Sequence, residues 1–208
     1  MPETRETQNT RRRYQRISRF YDLMEILPET LYIPWRKRLW SKVEGPHILE
    51  VGVGTGKNMP YYPENVTVSA IDLTPGMLER AKKRAQEMNL GAHLKVEDVQ
   101  SLDYPDGNFD SVVATFVFCS VPDPILGLQE VHRVLKPGGK LYLLEHVRSA
   151  NSLFGPIMDL FDPLVVRLMG PHINRKTVQN VEHSDLELET DEPIGFGDIY
   201  RMIIAQAD

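Results

Sequence analysis

The sequence predicts an α/β fold: a doubly wound, mostly parallel seven-stranded sheet with an antiparallel last strand. Three observations predict it. Between residues 47 and 147 short apolar runs alternate with helical patterns, the signature of parallel βαβ units. A glycine-rich turn directly follows the first apolar run. Two closing strand-like runs, roughly 186–193 and 199–206, are joined through Gly195-Phe196-Gly197, which suits an antiparallel hairpin return.

Each element has its own warrant. Residues 11–40 read as helical, with Tyr14, Ile17, Tyr21 and Met24 forming an apolar stripe at helical spacing. His47–Gly52 is a buried strand, followed by glycines and a short helix, and Thr67–Asp72 is the second strand. Thr74-Pro75 opens a helix with an N-cap and a first-turn proline; Met77, Leu78, Ala81, Ala85 and Met88 line one face and Asn89-Leu90-Gly91 ends it. His93–Asp98 and Ser111–Phe118 are the third and fourth strands. Asp123-Pro124 caps a helix running to Leu135, and Pro137-Gly138-Gly139 turns the chain into a fifth strand, Lys140–Val147. Residues 151–169 are apolar almost all round, so the chain divides into a helical arm or lid at 1–40 and a domain at 41–208 carrying an apolar helical insertion at about 151–180.

Composition narrows the class. With 208 residues, 41% hydrophobic and 25% charged, the chain suits one globular domain with a three-layer core. Its single cysteine, Cys119, rules out an internal disulfide framework, and no Cys/His spacing matches a zinc site, so no metal is expected. The first residues, MPETRETQNTRRR, carry no apolar stretch of a secretory signal, and a reducing cytoplasm is the expected location. The net charge of −5 is uneven: residues 1–40 carry +4 and the rest −9. A basic arm on an acidic body argues against nucleic acid as the body's partner. It leaves an anionic membrane surface open as a partner of the arm, peripheral to the inner face of a membrane. Solvated arginines beside a stripe that docks on the core explain the same pattern equally well.

The strongest chemical signal is Glu50-Val51-Gly52-Val53-Gly54-Thr55-Gly56 at the end of the first strand. Glycines let backbone approach a ligand closely, and the following helix offers free N–H groups to an anion. Alone, such a loop is weak, because nicotinamide enzymes use a near relative; those usually carry GxGxxG, and no second catalytic domain is evident here. Asp72 ends the second strand, where a carboxylate can accept bonds from both hydroxyls of a ribose. Asp98 ends the third, where it can accept an amino proton of adenine. Either is commonplace; both behind one glycine loop is not.

The ordered motifs EVGVGTG, AIDLTPGMLERAK, VEDVQSLDYPDGNFDSVVATF and EVHRVLKPGGKLYLLEH resemble the class I S-adenosylmethionine-dependent methyltransferases, with their Rossmann-like fold. Within them the chain is similar to the branch of ubiquinone/menaquinone C-methyltransferases, soluble phospholipid N-methyltransferases and thiol methyltransferases. The resemblance implies S-adenosylmethionine as cofactor. It implies that Glu50, Gly52, Gly54 and Gly56, with Asn58, surround the methionine part. Asp72 and Leu73 would hold the ribose, Asp98 and Val99 the adenine, Met77 would pack on the nucleoside, and Tyr21 would lie over the cofactor as a lid. Thr115 would complete the site.

Methyl transfer is an in-line displacement, so alignment matters more than a protein nucleophile. The absence of a triad is therefore uninformative. Two function classes remain: an active methyltransferase, or a cofactor-binding module. For the acceptor, the fold points above the carboxyl ends of the fourth and fifth strands. Candidates there are Thr115, Phe116, Cys119, Ser120, Glu145 and His146, with Tyr14 and Tyr21 from the arm and His172, Asn174 and Tyr200 from the tail. His146 is the best-placed base, since histidine exchanges protons near neutral pH; a histidine bonded to backbone beyond the strand is the plainer reading. The acceptor is read as small and lipophilic, phosphatidylethanolamine first, a thiol or a quinone as alternatives. Phe118-Cys119-Ser120-Val121 replaces the Arg-Asn pair of the quinone enzymes, and one cysteine is too few for an arsenite methyltransferase.

Overall fold

A computed structural model describes residues 4–24, 26–168, 170–195 and 197–208. In order the chain forms α1 (Arg5–Ile17), α2 (Tyr21–Met24), α3 (Ile26–Trp40), β1 (His47–Val51), a 3-10 turn at Met59–Tyr61, β2 (Thr67–Asp72), α4 (Pro75–Glu87), β3 (His93–Val96), β4 (Phe109–Thr115), α5 (Pro124–Val134), β5 (Leu135–His146), α6 (Phe154–Leu168), α7 (Thr177–Glu182), β6 (Glu187–Pro193) and β7 (Tyr200–Gln206). The sheet order is β3-β2-β1-β4-β5-β7-β6. The first five strands in that order are parallel; β7 runs antiparallel to β5 and β6 antiparallel to β7. This is the Rossmann-like sheet that the sequence predicts. Its winding reverses between β1 and β4, which opens a crevice at the carboxyl edge.

Strand periodicity decides what faces the crevice. Ile48 and Glu50 lie on one face with their register partners Val68, Ala70, Ser111 and Val113, and the same face continues through Thr115, Leu144 and His146 to Tyr200. That face packs against Leu39 and Trp40 of α3 and against Leu78, Ala81 and Ala85 of α4. The opposite face, carrying Leu49, Val51, Ile71, Val112 and Leu143, packs against Leu128 and Val131 of α5 and Val181 of α7.

Several boundaries differ from the sequence reading. The expected helix over 11–40 is three helices, and it begins earlier because Thr4 caps α1 by accepting from Thr7 N at 3.2 Å. The break follows Ser18, whose hydroxyl donates to Gln15 O at 3.0 Å, a local bond that competes with a further turn. The apolar stripe is therefore split, and Met24 is exposed. Asp98 lies in the loop beyond β3, where its Oδ1 accepts from Gln100 N at 3.0 Å. β4 ends at Thr115 rather than 118, because Phe116 takes a positive φ of 58°. β5 starts at Leu135, which pairs with Phe109, so Pro137-Gly138-Gly139 is an irregularity inside the strand. Met88 ends its helix exposed. Within α6 only Gly155 and Asp162 are buried, leaving Phe154, Ile157, Leu160, Phe161, Leu164 and Leu168 exposed. Met1, Pro2, Glu3, Glu25, Met169 and Phe196, to which the arm, insertion and hairpin readings extend, lie outside the described residues.

Candidate active site

Backbone geometry builds the site first. At the tip of β1, Gly52 has φ +66°, and a Cβ there would sit 2.4 Å from Val117 Cγ2; no side chain fits. The turn it makes brings Gly54 N to Asp72 Oδ2 at 2.9 Å, while Asp72 Oδ1 accepts from Thr74 N at 2.7 Å. Both bonds lower the Asp72 pKa, but burial outweighs them and the net shift is upward. With a third bond from the Thr74 side chain, the carboxylate still has lone-pair capacity for a further donor. At Gly54 an added Cβ would meet nothing nearer than Gly52 O at 4.0 Å, so bare backbone faces open space.

That space is a cavity at the carboxyl edge of the sheet. Of the residues singled out in the sequence, Tyr21, Gly52, Gly54, Asp72, Leu73, Met77, Asp98, Val99 and Thr115 line it, together with Phe116 and Ser120. Tyr14 also lines it, its hydroxyl 2.6 Å from Ser120 Oγ, so the arm closes directly over the loop after β4. Glu50, Gly56, Asn58 and His146 are not among its lining residues. Gly56 lies against Met59, whose Sδ is 2.7 Å from where a Cβ would sit.

Glu50 and Asn58 form a buried polar network. Asn58 Nδ2 donates to Glu50 Oε1 at 2.6 Å and to Thr115 Oγ1 at 2.9 Å, and the Tyr62 hydroxyl donates to Glu50 Oε2. Burial pushes the Glu50 carboxyl up to about 7, against these hydrogen bonds and the nearby Arg36 charge.

Arg36 is the residue that the sequence reading missed. It is 5% exposed, and its Nη1 donates to Asn58 Oδ1 at 2.9 Å and Thr115 Oγ1 at 2.8 Å. Its Nε donates to Glu29 Oε1 at 3.0 Å, and its guanidinium lies 5.5 Å from the centre of the Phe116 ring. In the sequence Arg36 counts as one more charge of a basic arm. The available signal is spacing: Arg36, Leu39 and Trp40 stand i, i+3, i+4, which places Arg36 on the buried face of α3.

Asp22 is a second missed anchor. It accepts from Thr55 Oγ1 at 2.6 Å and Arg80 Nη2 at 2.8 Å, tying α2 to the glycine loop and to α4. Burial raises its carboxyl, but Thr55, Arg80 and Arg84 together hold it below its ordinary value. Arg11 Nε reaches Leu73 O at 3.1 Å, so this member of the basic cluster docks on the core.

The loop after β4 is held from beneath. Glu145 is fully buried, and its Oε1 accepts from Val117 N at 2.9 Å and Phe118 N at 3.0 Å. Burial pushes Glu145 up to about 7 and the Cys119 thiol up to about 12, so Cys119 stays a protonated thiol. His172 and Asn174 belong to the insertion's framework: His172 Nδ1 pairs with Asp162 at 2.8 Å, its N donates to Cys119 O at 3.0 Å, and Asn174 Nδ2 donates to Asp159 Oδ1 at 3.2 Å. His146 is half-buried, with its ring edge-on to Tyr200 at 5.3 Å, and burial lowers its pKa.

Residues 49–143 match the family described as the methyltransferase domain. Over 178 residues the chain is 32% identical to the human thiol S-methyltransferase TMT1B, covering 76% of this chain and 71% of that one. The chain belongs to the S-adenosylmethionine-dependent methyltransferases. Similarity to the phosphatidylethanolamine N-methyltransferase of Cereibacter sphaeroides is higher, 41%, but runs over 104 residues, 49% of this chain and 51% of that one. The chain thus spans about half the length of that relative. It is 29% identical to the ubiquinone/menaquinone biosynthesis C-methyltransferase of Rickettsia akari, over 90% of this chain and 79% of that one. The fold matches a solved SAM-dependent methyltransferase of Thermotoga maritima with a TM-score of 0.73, covering 95% of this chain and 99% of that one at 18% identity. As a methyltransferase it uses S-adenosylmethionine, and the residues present fit that ligand: bare backbone at Gly54 and, on the cavity wall, the buried carboxylate of Asp72 with capacity for a further donor.

Proposed function

We propose that this methyltransferase acts on a lipophilic amine, with phosphatidylethanolamine as acceptor. The observation that carries the reading is the lid's two-sidedness. Tyr21 lines the cavity, while its neighbours Phe20 and Leu23 are 63% and 68% exposed. Leu31 and Ile33 of α3 and apolar side chains of α6 are exposed too, and Arg12, Arg16 and Arg19 stand exposed on and just after α1. Apolar side chains flanked by cations suit an anionic lipid surface, from which a lipid acceptor would be drawn. Among the described residues no helix is long and apolar enough to cross a membrane, so the contact we propose is peripheral.

In this reading Asp72 and Leu73 hold the ribose, Asp98 and Val99 the adenine, and Met77 packs on the nucleoside. Gly52 and Gly54 frame the methionine part with Thr115 beside it, Glu50, Gly56 and Asn58 support that frame from outside the cavity, and Tyr21 covers the whole. S-adenosylmethionine supplies an activated methyl group. The chain's task is to align the acceptor with it and exclude water, an effect worth roughly 7–11 kcal/mol in favourable cases. An amine attacks only when unprotonated. His146, kept neutral by burial, is the base we assign to the acceptor nitrogen's proton; it lies outside the cavity, reached past Tyr200 and the cavity-lining Phe116.

Turnover on vesicles containing phosphatidylethanolamine, on alkyl thiols and on quinols, read by mass spectrometry, tests the acceptor. Methylated phosphatidylethanolamine is the expected product; turnover of thiol or quinol alone overturns the assignment. Co-sedimentation tests the surface: the chain should pellet with anionic vesicles and not neutral ones, and equal binding, or none, removes the membrane contact.

A further inference from the structure

For a helix resting on a core, α6 is amphipathic the wrong way round. Phe154, Ile157, Leu160, Phe161, Leu164 and Leu168 are between 42% and 75% exposed. At about 3.6 residues per turn they fill one arc of roughly 120°. The two buried residues of the helix, Gly155 and Asp162, lie on the far side. Its polar ties to the body run from there: Asp162 accepts from His172 Nδ1 and from Ile173 N, both at 2.8 Å, and Asp159 Oδ2 accepts from Arg148 Nη2 at 2.8 Å. The anchored side is polar and the bare side apolar.

Size, charge and spacing say what covers it. The six side chains leave on the order of 600 Å² of apolar surface bare, the upper end for a soluble monomer and most of the ~800 Å² that each partner gives to a stable interface. A helix held in a lipid surface carries cations along its polar side. Here Arg167 is the one cation of α6, against Asp159 and Asp162, and an anionic surface gains little from it. The cations that suit lipid stand on the arm. Phe154, Ile157, Phe161, Leu164 and Leu168 are spaced three, four, three and four apart, the seam along which one helix packs on another.

We propose that the apolar arc of α6 is the two-fold interface of a homodimer, the α6 of each copy lying against that of the other. Such a contact asks only that one surface match itself, which a single helix with its seam centred on Phe161 does. The insertion also holds the loop after β4, through His172 N and Cys119 O at 3.0 Å. None of the described residues of α6 lines the cavity, so the pairing lies beside the active site and leaves it whole. The interface stands independently of the acceptor and of the arm's contact with lipid.

Sedimentation velocity of the full chain tests the interface. The protein should run as a dimer at micromolar concentration. Leu160→Glu and Leu164→Glu should each weaken the association by about tenfold or more, because each sets a carboxylate against apolar side chains of the other copy. Both positions are exposed in a single copy, so affinity for S-adenosylhomocysteine should hold and reports that each variant is folded. Leu160→Lys should be monomeric alone and pair when mixed with Leu160→Glu, since residue 160, next to the centre of the seam, faces its own counterpart whichever way the helices run. A wild-type monomer overturns the interface, and vesicle binding lost from that monomer on Leu160→Glu gives the arc to lipid instead. A dimer that survives both glutamate substitutions overturns it as well.

Discussion

Asp72 carries the most chemistry per atom in the proposed site. Its two oxygens fix the glycine loop through Gly54 N and the start of α4 through Thr74 N, and the residue lines the cavity. Asp72→Ala should weaken S-adenosylmethionine binding by one to two orders of magnitude, as expected for loss of a charge-assisted pair of about 1.5–3 kcal/mol; calorimetry measures it, and unchanged affinity contradicts the role. His146 makes a pH prediction. Burial lowers its pKa, so the neutral, proton-accepting form persists below the ordinary value of 6.5. The acid limb of kcat/KM should fall below pH 6.5 and vanish in His146→Ala. A limb that survives the substitution assigns the base elsewhere. At this scale the sequence was legible where residue type and strand position agree, as at Asp72, Gly52 and Gly54. It was silent where a long side chain reaches inward from a helix. Arg36 was hidden because charge counting treats every arginine as solvated, whereas its neighbours Leu39 and Trp40 place it in the core.

Among the elements, the sheet was readable because its strands are apolar runs of the right length between turn residues. Their ends were not. β4 stops at Thr115, whose register partner is Leu144: Phe116 turns to a positive φ and the next residue of β5, Glu145, takes the amides of Val117 and Phe118, a tertiary effect no local pattern announces. α6 lies within the apolar helical insertion read at about 151–180, and its apolar side chains face outward, which the apolar pattern by itself does not distinguish from a buried helix. The short α2 depends on one carboxylate. Asp22→Ala removes the acceptor for Thr55 and Arg80 and leaves Lys57 and Arg84 without that partner. The lid should open more readily, raising the cofactor dissociation rate several-fold in stopped-flow measurements while the melting temperature changes little. An unchanged rate means that α2 does not gate the cavity.

Over the whole molecule, two buried carboxyls on opposite faces of the sheet, Glu50 and Glu145, are both pushed up to about 7 by burial. The unfolded chain ionises them near 4.5, so between about pH 4.5 and 7 the native state holds protons that the unfolded state has released. Their contribution to stability is full below that window and declines as pH rises through it. Glu145→Gln should flatten the decline in denaturant titrations across this range, and an unaltered slope places the proton elsewhere. The account as a whole turns on the crevice where the sheet's winding reverses being built for a sulfonium nucleoside. Isothermal titration of the full chain with S-adenosylhomocysteine, with the nicotinamide dinucleotides as controls, tests this most directly. One nucleoside should bind per chain, with affinity lost in Asp72→Ala and none for the dinucleotides; no binding of the nucleoside, or binding of a dinucleotide in its place, contradicts the account.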